Sequence, residues 1–98
     1  MADLIVTITR YAGEHQPGWV ECEFADADGR MHRFLERGRV VSQHALTAAS
    51  EYPRMGRIAC LVAEEWGDHS GIDLARIILD VAGANADNSY VILASDLR

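Results

Sequence analysis

The chain has 98 residues, 49% of them hydrophobic and 24% charged, a size and mix that suit one globular domain with a single core and exclude disorder or separate catalytic and regulatory domains. Its net charge of −6, from nine arginines, no lysine and fifteen acids, disfavours general nucleic-acid binding, which depends on neutralising phosphates. No basic and apolar leader opens the sequence, and no apolar run nears the roughly 20 residues of a membrane helix, so the expectation is one cytoplasmic domain over residues 1–98 with no membrane partner. Arginine without lysine, beside abundant alanine, reads as the coding bias of a GC-rich bacterial genome.

Residues 4 to 11 read as a first strand, rich in β-branched types, with Leu4, Val6 and Ile8 on one face. Residues 12 to 18, with two glycines and a proline, end it. From Gly18 to Leu35, two runs of alternating polarity flank Asp26-Ala27-Asp28-Gly29, which suits a type I turn followed by a left-handed glycine, the hairpin with a G1 bulge. That register sets Asp26 opposite Arg30, Phe24 opposite His32, Cys22 opposite Phe34 and Val20 opposite Glu36, and makes Val20, Cys22, Phe24 and Phe34 the core face. The other face then carries Trp19, Glu21, Glu23, Met31, Arg33, Leu35 and Arg37, with Glu23 facing Arg33 and Trp19 facing Arg37.

Ser42 is placed to cap a short helix over 43–50, closed by Pro53. Residues 57 to 64 read as a strand with Ile58, Cys60 and Val62 inward, and Trp66 to Gly71 as a turn. Residues 72 to 82 fit two readings. Leu74, Ile77, Ile78 and Val81 follow helical spacing behind a Ser70-to-Asp73 capping box, with Gly83 as C-cap, whereas 76 to 81 also suit an antiparallel return on 57 to 64. A loop over 83–88 and a last strand over 89–94 complete the chain.

The start Trp19-Val20-Glu21-Cys22, the hairpin pattern Asp26-Ala27-x-Gly29-x-x-His32-x-Phe34, the stretch Val40-Val41-Ser42, the pattern Tyr52-Pro53-x-x-Gly56-x-Ile58-x-Cys60, and Leu79-Asp80 before the final loop form a recurring set. In these features the chain, from about residue 19 to 97, resembles small bacterial proteins of unknown function. The resemblance carries no activity. It implies a strand over 72–80, followed in those proteins by a loop containing Pro and Trp where this chain has Val81-Ala82-Gly83-Ala84. The fold expected is mainly all-β: a small antiparallel barrel or strongly curved sheet of about six strands, with one short helix near 43–50. The alternative is α+β, with a helix at 71–82 packed on a smaller sheet.

No motif fixes a reaction. Asp26-x-Asp28-Gly29 opens like a calcium loop but lacks its third acid and terminal glutamate, and reads as a turn. Asp68-His69-Ser70 has the residue types of a hydrolase triad, but neighbours in sequence rarely converge as a triad must. His15, His32, His44 and His69 show no ligand spacing, Glu64 and Glu65 point to opposite faces of a strand, and Gly67 and Gly71 lack the lysine of a phosphate loop. No metal, cofactor or catalytic residue is therefore assigned. Cys22 and Cys60 lie in strand-like runs and read as buried free thiols rather than a disulfide.

Charge is uneven along the chain, at −5 over residues 1 to 29, +4 over 30 to 57 and −5 over 58 to 98. The six arginines of the middle third either pair with acids on neighbouring strands or present a basic face. The function expected is that of a non-enzymatic protein-interaction domain. Trp19, Leu35, Arg37 and Trp66 are the candidate contacts, because tryptophan and arginine most often anchor interfaces. A protein partner is expected, and a homo-oligomer is allowed. Two alternatives stand beside this: an immunity-type inhibitor whose acidic surface meets a basic toxin, and a small-ligand or enzyme site in the barrel mouth built from Arg30, His32 and Asp80.

Overall fold

The alternating runs form strands, and the strands form one sheet. In the computed structural model, which describes residues 2–13, 18–79 and 88–98, β1 spans Ala2–Tyr11, β2 Trp19–Ala25, β3 Met31–Arg37, α1 Gly38–Val41, β4 Arg54–Gly67, β5 Asp73–Leu79 and β6 Ser89–Leu93, before a 3-10 turn at Ala94–Asp96. The strands are antiparallel and lie in the order β3-β2-β1-β4-β5-β6. The fold is mostly β, a curled half-barrel with one short helix.

The β2–β3 hairpin takes the register that alternation and turn chemistry dictate, with Cys22 opposite Phe34, Glu23 opposite Arg33 and Gly29 at φ 83°. One face of the sheet buries Leu4, Val6, Ile8, Val20, Cys22, Ile58, Cys60, Ala75, Ile77, Leu79 and Ile92, and Phe24 and Phe34 extend this core. The curl brings the sheet's ends together. The Ala27 amide in the hairpin tip donates to the Val91 carbonyl of β6 at 2.8 Å, and Asp3 and Arg98 exchange backbone hydrogen bonds beside the Leu4–Leu97 bridge.

Two irregularities re-aim side chains. The pairing of β1 with β2 shifts between Ile8 and Arg10, and that of β4 with β5 between Val62 and Glu64, each a bulge that reverses the facing of the residues beyond it. By strict alternation from Ile58 and Cys60, Trp66 would point inward; after the bulge it lies opposite Leu74 and is exposed.

Residues 73 to 79 are strand, so a helix at 71–82 is not formed over the described part of that segment. Ala75, Ile77 and Leu79 face the core while Ile78 is exposed, a period of two that only a strand satisfies. The short helix is displaced from its expected place: α1 covers Gly38–Val41, and residues 43–50 are bends, one turn and irregular backbone. Serine and threonine hydroxyls divert the backbone there. Ser42 Oγ accepts from the His44 amide, Thr47 Oγ1 from Ala49 and Ser50 Oγ from Thr47, local bonds that compete with a helix. Leu46 is the one large buried side chain in the stretch, too little for an amphipathic face.

Candidate functional site

The arginines of residues 30 to 57 separate in the fold. Arg33 Nε donates to Glu23 Oε2 at 3.2 Å, and Arg37 Cζ lies 5.9 Å from the centroid of the Trp19 ring, within cation–π range. Arg39, Arg54 and Arg57, by contrast, make no ion pair among the described residues. Register is the cause. Arg54 and Arg57 lie opposite Ile8 and Ile5 of β1, and β5 pairs with β4 only from Cys60 onward, so among the described residues no acid lies directly opposite them across the sheet.

These three arginines line a groove of about 540 Å³. Val40, Val41 and the Ser42–His44 turn form one wall, and residues Arg54 to Arg57 of β4 with Ala59 form the other; Asp3 is the one carboxylate in the lining among the described residues. Gly56 holds the walls together. A Cβ at Gly56 would sit 2.7 Å from the Val41 carbonyl oxygen, so glycine is what lets α1 approach β4 this closely.

The residues expected to bind fall into two places. Trp19, Leu35 and Arg37 share the outward face of β2–β3, with Trp19 half-buried beneath Arg37 and Leu35 exposed. Trp66 lies elsewhere, on β4, in a row with Leu74 and Leu93 across three strands. Leu61, Ile78 and Val91 extend this outward apolar face around the Glu64–Arg76 ion pair.

Of the alternative pocket, Asp80 lies outside the described residues and Arg30 is exposed. His32 is engaged: its Nε2 lies 2.8 Å from Asp26 Oδ2, and its ring sits 5.3 Å from that of Phe24 and 4.8 Å from that of Tyr90. It joins the hairpin tip to β6. Asp26 Oδ1 also accepts the amides of Asp28 and Arg30, so the calcium-like motif is a turn. Asp68-His69-Ser70 uses the same device, with Asp68 Oδ1 accepting from the Ser70 and Ile72 amides.

The hydrogen bond from His32, aided by the Arg30 and Asp28 amides, holds the Asp26 carboxyl below its ordinary range. A depressed carboxyl stabilises the fold above its unfolded pKa and loses that contribution as pH falls through its folded one. Asp26→Asn is therefore expected to lower Tm most at neutral pH, with the gap from the parent protein closing as pH falls below the ordinary carboxylate range. A gap of constant size over that fall in pH contradicts the pairing.

Cys22 and Cys60 are free and buried. Burial first, then the nearby charges of Glu36 and Glu21, pushes the Cys22 thiol up to about 12, and burial also raises that of Cys60. Neither is a thiolate near neutral pH, which is the form a nucleophile requires.

The groove arginines do not stand out individually in the sequence. Their signal there is the excess of six arginines over two acids in residues 30 to 57, but which of them stay unpaired depends on the partner exchange along β4. The chain matches no protein-family model, no curated protein and no solved structure.

Proposed function

We propose that this chain is a non-catalytic protein-interaction domain that takes an acidic segment of its partner into the groove of Arg39, Arg54 and Arg57. One observation carries the reading: a chain of net charge −6 leaves three arginines around one groove without ion pairs among the described residues, while Arg10, Arg33 and Arg76 are paired with Glu21, Glu23 and Glu64. Cationic charge gathered at one place on an acidic molecule steers a ligand of opposite sign to that place. The same sign favours an acidic partner over the basic toxin that an acidic surface would match. Binding is favoured over catalysis because, among the described residues, no hydrogen bond joins two titratable side chains of the groove, the contact that activates a nucleophile or a base.

The test is fluorescence anisotropy with a short labelled peptide alternating glutamate and valine. The unaltered chain is expected to bind it at low salt and to release it as salt rises. At about 0.5–1 kcal/mol per exposed charge pair, the triple variant Arg39→Gln/Arg54→Gln/Arg57→Gln should bind roughly 10- to 100-fold more weakly. Arg33→Gln, which removes a charge outside the groove, should leave affinity unchanged. Equal binding by the triple variant, or no binding by the parent chain, overturns the proposal.

A further inference from the structure

Resting on that reading, we infer that the acidic segment binds as an added β-strand along residues 54 to 59 of β4. Among the described residues this edge is unpaired, because β4 changes partners halfway. Residues Arg54 to Cys60 pair with β1, and Cys60 to Gly67 pair with β5, so among the described residues the first half of this 14-residue strand is paired on one side alone. Its other side faces the groove.

The lining itself places the groove along that edge. Gly56 points inward and is buried, while Met55, Arg57 and Ala59 are exposed on the outward face, yet all four line the groove. Contact with Gly56 as well as Met55 and Arg57 reaches both faces of β4, as a cavity that wraps a strand's edge does, while Asp3 of β1, opposite Ala59, extends the lining over the outward face. The wall opposite, from Arg39 to His44, stands off from β4 at a base fixed by the Val41 carbonyl against Gly56.

An exposed strand edge recognises an extended peptide through its backbone, with alternate side chains read by their surroundings. Here Arg57 and Met55 share the outward side and Arg54 the other. A segment with acids at alternate residues, set on the outward side beside Arg57, matches this pattern. β3 also ends the sheet, but Arg33 on that strand is already paired with Glu23. An acidic chain of net charge −6 whose groove lining carries no Phe, Tyr or Trp among the described residues lacks the large stacking platform that single-stranded nucleic acid uses, which leaves a peptide as the favoured occupant.

The experiment uses the full chain and two forms of the glutamate–valine peptide, one N-methylated at the odd residues and one at the even. In an antiparallel ladder only alternate amides face the neighbouring strand. Strand addition therefore predicts that one methylated form binds at least tenfold more weakly and the other nearly as well as the parent peptide. It also predicts that bound peptide slows hydrogen exchange at amides within 54–59. Equal binding by both methylated forms, slowed exchange on β3 instead, or binding of inorganic tripolyphosphate but not of the peptide overturns strand addition while leaving a cationic groove in place. Loss of all anion binding, or binding indifferent to the three arginines, removes the groove as well.

Discussion

Phe34→Ala is expected to destabilise the fold by about 3–5 kcal/mol, the range for truncating a buried aromatic side chain. Phe34 is 8% exposed, lies opposite Cys22, and its ring centroid stands 6.3 Å from that of Phe24. Alanine would leave a cavity lined by residues that the curled sheet fixes from several directions, with little room to collapse. Against the ~5–15 kcal/mol that holds a typical domain together, the loss is large. Leu35, the next residue, supplies the control: it is 37% exposed on the other face, and Leu35→Ala should stay within about 0.5 kcal/mol of the parent chain. Urea denaturation of both variants measures the contrast. Equal losses in the two would mean that the faces of β3 are not distinguished as described.

The hairpin was legible in the sequence because independent signals agreed. Asp26-Ala27-Asp28-Gly29 demanded one turn geometry, the flanking alternation demanded one register, and Glu23 with Arg33 and Trp19 with Arg37 fitted the same pairing. Residues 72 to 80 were less determinate. Leu74, Ile77 and Ile78 suit a helix by spacing, and what selects the strand is distant: β4 offers an antiparallel partner from Cys60 to Gly67. Other features were out of reach for local reasoning. A single extra residue near Ala63 turns Trp66 from the inward to the outward side, and nothing in composition announces a bulge. Ser42 looked like a helix cap because hydroxyls that cap helices also close turns, and here Ser42, Thr47 and Ser50 all close turns. The groove was half legible. Charge partition marked residues 30 to 57 as cationic, but Arg39 stands 15 positions before Arg54, and only packing of α1 against β4 brings them to one cavity.

That packing turns on one residue, and Gly56→Ala is expected to cost about 1–3 kcal/mol, the range for forcing an added methyl group into a filled site. The cause is space and not backbone freedom, since Gly56 is not among the glycines at positive φ. A Cβ there would lie 2.7 Å from both the Val41 carbonyl oxygen and Ile8 Cδ1. Neither neighbour is a loose end: Ile8 is fully buried, and Val41 is the last residue of α1, whose end is fixed by the Ser42 amide donating to the Gly38 carbonyl. Relief must therefore come from moving α1 away from β4, which carries Arg39 away from Arg54 and Arg57. Stability and affinity for the acidic peptide should fall together. Gly29→Ala is the matched comparison, because no atom lies within 4 Å of its added Cβ while its φ of +83° penalises alanine, at about 1–2 kcal/mol for the left-handed conformation. That variant should lose stability and keep the parent's affinity for the peptide. If instead Gly56→Ala melts at the parent's temperature, or if Gly29→Ala weakens the peptide as much as Gly56→Ala does, the close approach of α1 to β4 does not shape the groove.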